Sequence, residues 1–355
     1  MKSLTRHGAV AASLVLVPAA LVGQELYFQP KDGASLERTF TLELDLDLAD
    51  ADVTQMGEPV DPSEMFDGDT AIETKVEATI GDAVEKAVRG RVDKLVRTYG
   101  DFLVDGEAPE DFEERRVEFT WDAERGEHTL RLLDVDEPDA DDEEFLMTVA
   151  EDLDHRAFLP EGEVEPDATW QVELGGAGLG DLVMPFMKFE GLEDLALSQA
   201  GDEDPEASEA VETVMDAVEE ALAGVVLEVT YLGVAEDEGS GRRVGRCKIA
   251  IDFDTSVDLG QLLTDLAARQ ADRSGDESPT PTIELDVTLA LEGEGEFTWD
   301  LEGHHMNSMS LPLDVEIGAT GRLAIEIEGL GELEFIAGSI TYGGTAELTQ
   351  KVTAR

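Results

Sequence analysis

Cysteine, lysine and long apolar runs are scarce in this chain. Cys247 is the only cysteine among 355 residues, so no internal disulfide can form and the core must hold the fold together. Lysine occurs 8 times against 17 arginines, and the formal net charge is −58. After residue 22 no apolar stretch approaches the 18 residues of a membrane-spanning helix, so we expect none.

The acidic excess narrows the classes of partner. Nucleic acid and anionic membrane surfaces carry negative charge and would be repelled, so both are excluded as expected partners. Divalent cations and apolar ligands remain open. No cofactor is predicted, because no phosphate-binding glycine loop occurs. The charge together with the scarcity of lysine is typical of a salt-tolerant protein from a saline habitat.

The first 23 residues have the pattern of an export signal. Lys2 and Arg6 give a basic start, residues 9–22 are almost wholly apolar, and Gly23 is a small residue at a plausible cleavage point. We therefore predict a signal peptide over 1–23 and a flexible N-terminal segment over 24–35. The mature chain is expected to be soluble outside the cytoplasmic membrane, as a periplasmic or secreted bacterial protein.

An internal repeat suggests the domain organisation. Residues 118–122, Glu-Phe-Thr-Trp-Asp, recur unchanged at 296–300. Leu-Asp-Val-Asp and Leu-Asp-Val-Glu follow the two copies, and Leu-Glu-Arg-Thr-Phe and Leu-Glu-Val-Thr-Tyr precede them. Three matches in the same order indicate a duplicated unit. This pattern predicts an N-terminal β half over 36–200, an acidic linker and connecting helix over 201–224, and a C-terminal β half over 225–355.

Alternation of apolar and polar residues predicts a mainly β protein. Residues 39–47 place phenylalanine and leucine on one face and threonine and acids on the other, as a half-buried strand requires. The spacing of the valines over 76–96 fits a helix nearly as well as strands, and the threonines and the valine-rich face favour two strands around a turn at 89–91. The predicted fold class is two related antiparallel β-sheet or partial-barrel halves with a few helices. Those helices are expected at 142–153, 205–222 and 258–271.

A local motif carries a family resemblance. Residues 159–164, which begin Leu-Pro and end Glu-Val, are followed by Pro-Asp-Ala-Thr-Trp at 166–170. This run resembles the strand entry of uncharacterised secreted β-rich bacterial proteins. In those proteins a Gly-Asp-x-Trp turn usually follows the valine, whereas Asp167-Ala168 stands here. The resemblance implies a β-rich class and an exported location, and no activity.

Two groups of side chains are candidate binding sites. Met184, Phe186, Met187 and Phe189 surround a proline in the most hydrophobic mature segment outside the predicted strands, and they could line an adaptable apolar pocket or form a core plug. The acidic run over 134–142 offers a metal site. Its candidate ligands are Asp134, Asp136, Asp139 and Asp141. That run departs from the EF-hand pattern, so a solvated acidic face is the alternative.

The sequence lacks recognisable catalytic motifs, and this absence contributes to the predicted function. No nucleophile elbow occurs, and the abundance of carboxylates removes the weight of any one pair, so we predict no enzyme. The expected function is an exported, non-enzymatic binding or structural protein. One alternative is a carrier that holds a lipid or hydrophobic peptide between the two halves. Another is a low-affinity divalent-cation or matrix protein.

Overall fold

The structure is a computed structural model, and it describes residues 23–61, 70–108, 114–135, 137–186, 217–237, 239–274, 281–327 and 331–354. Within these ranges the chain is mainly β, with few helices and open antiparallel sheets, as the alternation predicted. The helices are Ala140–Thr148 (α1), Gly175–Val183 (α2) and Gly260–Ser274 (α3). A short 3₁₀ turn covers Arg156–Phe158, and residues 217–222 are helical.

Most strands belong to one sheet that joins both ends of the chain. The strands are Gln24–Glu25 (β1), Ser35–Gln55 (β2), Glu58–Val60 (β3), Ala71–Val88 (β4), Arg91–Val104 (β5), Arg115–Asp122 (β6), Glu127–Leu132 (β7), Glu163–Val164 (β8), Thr169–Glu173 (β9), Val226–Glu236 (β10), Arg243–Asp258 (β11), Pro281–Asp300 (β12), His305–Ile327 (β13) and Gly331–Ala354 (β14). The large sheet has the order β7-β6-β5-β4-β2-β14-β13-β12-β11-β10-β9, with β3 beside β2. β1 pairs with β8 separately.

The sheet has an inner face that carries the core and an outer face that meets water. Inward residues alternate with outward ones along each strand, and the register keeps them in line across strands, as with Phe40, Ala78 and Gln350. We call the end with the turns at 89–90 and 301–304 the upper end. The opposite end, where β11 stops and β12 starts, is the lower end.

The sheet curves around the segment 149–158, which lies on its inner face. Arg156 Nη1 donates to the carbonyl of Gly90 in the β4–β5 turn at 3.1 Å, and Trp170 Nε1 on β9 donates to the carbonyl of Phe158 at 3.1 Å. In a flat sheet β4 and β9 would be about 34 Å apart, at about 4.8 Å per strand. The side chains of Arg156 and Trp170, together with residues 156–158, are too short to span that distance. The sheet must therefore wrap around the segment.

The outer face of the sheet carries a high density of carboxylates. Carboxylates occupy outward positions on neighbouring strands, and some face each other directly across the ladder. Asp252, Glu292 and Asp314 form one such line over β11, β12 and β13, which we call the acidic row. Like charges placed directly opposite one another destabilise a sheet. The acidic row therefore places a cross-strand repulsion on the outer face of the sheet.

Several local expectations are revised by the structure. The predicted helix at 142–153 lies at Ala140–Thr148, because Val149 is extended. Residues 205–216 of the expected connecting helix lie outside the described residues. The N-terminal segment, expected to be flexible, instead crosses the upper end with Leu26 and Phe28 buried. It is held there by backbone hydrogen bonds to Gly90 and His304.

Glycines lie inside the long strands instead of at their ends. β13 and β14 run through glycines, and a Cβ at Gly338 would lie 2.1 Å from the carbonyl oxygen of Asp52. Gly338 also has a φ of 155°. Glycine at this position permits a close approach between two strands inside the sheet, so it continues the strand instead of breaking it.

The repeated pentapeptide forms the same turn twice. Asp122 Oδ1 accepts from the N–H groups two and three residues later, at 2.8 and 3.3 Å, and Asp300 Oδ1 does the same at 2.8 and 2.7 Å. Gly126 and His304, four residues after each aspartate, both have positive φ. The structure does not show an internal duplication, because β2 lies three strands from β6 whereas β10 lies two strands from β12.

Candidate functional site

The predicted apolar site lies at the end of α2, against the inner face. Phe186 is buried, with its ring centroid 5.7 Å from that of Phe40 and 5.9 Å from that of Phe102. Met184 is half-buried beside it. The remaining void is about 10 Å³, which holds one water molecule at most. Met187 and Phe189 lie outside the described residues.

The predicted acidic site is spread over a turn and a helix start. Asp134 is exposed, and Arg116 Nη1 donates to it at 3.4 Å. Asp139 caps α1, where its carboxylate accepts from the N–H of Asp142 at 3.0 Å. Asp136 and the side chain of Asp141 lie outside the described residues. Among the side chains that are described, no group of three or more His, Cys, Asp or Glu could hold a metal ion.

A network of four buried charges lies beneath the upper end of the sheet. Arg38 donates from Nη1 to Asp82 and from Nη2 to Asp154, both at 2.6 Å. Arg97 holds the same Asp82 with two hydrogen bonds, at 2.7 and 2.9 Å. All four side chains are almost fully buried. Two guanidinium and two carboxylate groups balance in charge, as burial requires.

The network fixes the segment 149–158 to the sheet. Arg97 donates to the carbonyl groups of Ala150 and Glu151, and Asp154 accepts from the N–H of Met306 at 2.8 Å. Burial alone would raise the pKa of Asp82, but the charges of Arg97 and Arg38 outweigh it and hold that pKa below its usual range. These residues therefore have a structural role in closing the core.

The network has a sequence signal that composition does not reveal. Arg38, Asp82 and Arg97 each stand at an inward position of an otherwise apolar alternation, on β2, β4 and β5. The residues two positions before and after each of them are buried. A charged residue in phase with the core on three strands indicates buried ion pairs, because an unpaired charge could not remain there.

Two groups considered for chemistry are buried. Cys247 is fully buried, and burial raises the pKa of its thiol to about 12, so little nucleophilic thiolate exists at neutral pH. His305 is buried, and its Nδ1 lies 2.6 Å from the carbonyl oxygen of Met306. Burial lowers the pKa of His305 and keeps the ring neutral.

The lower part of the inner face remains partly uncovered. We call it the lower inner face. It consists of Leu48, Ala51, Ile72, Val257, Ile283, Leu285, Val287, Leu289, Ile317, Ala319, Leu323, Leu333, Ile336, Ile340 and Tyr342. The exposed fractions are 43% for Ile72, 39% for Ile317, 36% for Leu333 and 41% for Ile336. No described side chain at the inward positions of these stretches is charged.

Helix α3 covers one edge of this face. β11 ends at Asp258, opposite Asp286, so the first residues of β12 have an open edge. Thr264 Oγ1 accepts from the N–H of Ile283 at 2.9 Å and donates to its carbonyl at 3.1 Å. Leu259 N–H donates to the carbonyl of Leu285 at 2.8 Å. The helix and the residue before it thus supply hydrogen-bond partners to the edge of β12 that β11 leaves unpaired. Large apolar side chains on the face stay exposed.

The sequence was compared with known proteins. No protein-family model and no curated protein matches it. Within the described residues, no helix combines the length and the apolar composition that crossing a membrane requires.

Proposed function

We propose that this chain is an exported, non-enzymatic carrier that holds an elongated apolar ligand against the lower inner face. The observation that supports the proposal is the exposure of Ile72, Ile317, Leu333 and Ile336 on the inner face of the sheet, whose upper part is buried. Contiguous exposed apolar surface of this kind marks ligand grooves and interaction sites. The predicted carrier site near Phe186 is filled, so the proposed ligand lies lower on the same face.

The composition of the face indicates the class of ligand. From Ile283 to Leu289 the face extends about 20 Å along the strand, at about 3.3 Å per residue. Its inward side chains are aliphatic apart from Tyr342, and small residues such as Ala319 and Gly321 occupy its middle. Such a surface gives contact without hydrogen bonds or charges. It suits an acyl chain or another long hydrocarbon better than a polar molecule.

A neutral fluorescent probe tests the proposal directly. N-phenyl-1-naphthylamine carries no charge, so the acidic outer face does not repel it, and its fluorescence should rise to saturation with the mature protein. Ile317→Thr with Ile336→Thr keeps β-branched residues but replaces an ethyl group by a hydroxyl at each site. Binding should weaken about tenfold, because a loss of about 0.7 kcal/mol at each site, close to the value of one buried CH₂ group, gives that factor.

The control carries the same kind of change elsewhere. Leu232 and Val234 on β10 are 42% and 45% exposed but lie outside the lower inner face. Leu232→Thr with Val234→Thr should leave probe affinity within twofold. Absence of saturable fluorescence, or an equal loss in both double variants, would contradict the carrier function.

Native mass spectrometry of protein secreted by its own cells addresses ligand and location together. A carrier should show added mass that leaves under collisional activation. The export proposal rests on the basic and apolar start of the chain, and removal of residues 1–23 sets the expected mass of the mature protein. Retention of those residues would count against export.

A further inference from the structure

A second depression lies at the upper end of the sheet, at the opposite end from the lower inner face. It consists of two adjoining parts of about 350 and 570 Å³ that share Arg242, His305 and Ala354. We call it the upper cleft. Its walls come from residues 31–34, from residues 237, 239, 240 and 242, and from the start of β13 and the end of β14. Volumes of this size are typical of small-molecule sites.

The upper cleft collects cations that have no ion-pair partner. Lys31 and Lys351 line it, and Arg243 follows the shared Arg242. These three side chains make no ion pair in the described part of the chain. Every other lysine and arginine side chain that the structure describes has a carboxylate oxygen within 4.0 Å. Of these three unpaired cations, Lys31 and Lys351 line the cleft and Arg243 does not. In a chain with a net charge of −58, such lysines are the exception among the described residues.

Arg242 is oriented from below by a buried carboxylate. Its Nη1 donates to Oδ2 of Asp300 at 2.9 Å. The other oxygen of Asp300 accepts from the N–H groups of Glu302 and Gly303, at 2.8 and 2.7 Å. The Asp300 carboxylate is thus held from both sides. The guanidinium is fixed in turn, and it is still partly exposed in the cleft.

The carboxylates in the walls are mostly engaged with other donors. Asp32 Oδ1 accepts from the N–H of Ala87 at 2.8 Å. Asp237 Oδ2 accepts from the N–H and the hydroxyl of Ser240, at 2.7 and 2.6 Å. Of the acidic side chains that line the cleft, only Glu302 has no such donor among the described residues. Two lysines and the anchored arginine therefore remain available to a ligand.

We propose that the upper cleft binds a small oxyanion, either phosphate, sulfate or the carboxylate groups of a small organic acid. Lys31 and Lys351 would supply charge, and Arg242 would supply a directed donor pair. At 0.15 M salt the Debye length is about 8 Å, so charges beyond the cleft are largely screened. Within the cleft, Lys31, Arg242 and Lys351 offset the carboxylates of Asp32, Asp237 and Glu302. This inference is independent of the proposed carrier function.

Isothermal titration calorimetry of the full mature chain tests the site. Inorganic phosphate, sulfate and citrate are each titrated in 0.15 M sodium chloride with a non-phosphate buffer. We expect saturable heat with at least one of them, and the preferred anion separates phosphate or sulfate from carboxylate chemistry. Lys31→Gln with Lys351→Gln should weaken that binding at least tenfold.

A matched variant distinguishes the effect of changing the cleft from the effect of changing the overall charge. Lys86→Gln with Lys248→Gln removes the same two charges from exposed ion pairs outside the cleft, and should leave affinity within twofold. Circular dichroism confirms that both double variants fold. The proposal is overturned if none of the three anions gives saturable heat, or if the two double variants lose affinity equally.

Discussion

Removal of one cation from the buried network should destabilise the protein strongly. Arg38→Met leaves Asp82 paired with Arg97 but leaves the carboxylate of Asp154 with only the N–H of Met306 as a donor. A buried charge that loses its partner costs about 3–5 kcal/mol in the free energy of unfolding. We expect a loss of that size, because both arginine and carboxylate are almost fully buried.

The second substitution makes the prediction specific. Asp154→Asn keeps an oxygen for the N–H of Met306 but removes the charge, so Arg38→Met with Asp154→Asn restores charge balance around Asp82 and Arg97. The double variant should lose less stability than the sum of the two single losses, by about 1–3 kcal/mol. The network, rather than the bulk of either side chain, then accounts for the cost.

Urea unfolding followed by circular dichroism and tryptophan fluorescence measures each term of this cycle. A parallel cycle on the exposed pair of Lys248 and Glu294, using Lys248→Met and Glu294→Gln, provides the comparison. Its coupling should stay below about 1 kcal/mol, as for surface pairs generally. Additive losses at Arg38 and Asp154 would refute the argument that these groups form one balanced unit.

Two further predictions concern charge and pH. Glu292→Lys at the centre of the acidic row should raise the free energy of unfolding by about 0.4–2 kcal/mol in 0.01 M sodium chloride, since two repulsive cross-strand pairs are removed. The gain should shrink in 0.5 M salt because the repulsion is screened. Glu228→Lys is the control, since the cross-strand neighbours of Glu228 are uncharged, and it should show no comparable gain. Equal gains in the two variants would contradict cross-strand repulsion as the cause. Burial lowers the pKa of His155 and of His305, so the unfolded chain binds protons first and stability should start to fall below about pH 6.5. The lowered pKa of Asp82 adds a further loss below about pH 4, and a urea midpoint that stays constant from pH 7.5 to 5 would contradict the histidine contribution.

The sequence predicted the class of the fold because alternation is a local signal. Residues 39–47 and 76–96 form strands as expected, and the turn after Val88 lies where the glycine indicated. Strand length was not predictable in the same way. β14 continues through Gly338 because its neighbours tolerate a close approach there, which is a property of the paired strands and not of the residue itself.

The candidate sites depended on contacts between distant parts of the chain. The upper cleft joins Lys31, Arg242 and Lys351, and only the order of strands in the sheet brings these residues together. The lower inner face was visible as alternation, but its exposure depends on which segments cover it. Met184 and Phe186 lie on the inner face, where the void that they line is about 10 Å³.

The division of the sheet into an acidic outer face and an apolar inner face also governs how copies of the protein behave toward each other. Exposed Ile317 and Ile336 would favour stacking of two molecules through their lower inner faces. At low ionic strength the long-range repulsion between acidic faces keeps copies apart. Salt that relieves strain within one molecule therefore also weakens the barrier to self-association, so the conditions of greatest folding stability and of greatest colloidal stability lie at different ionic strengths.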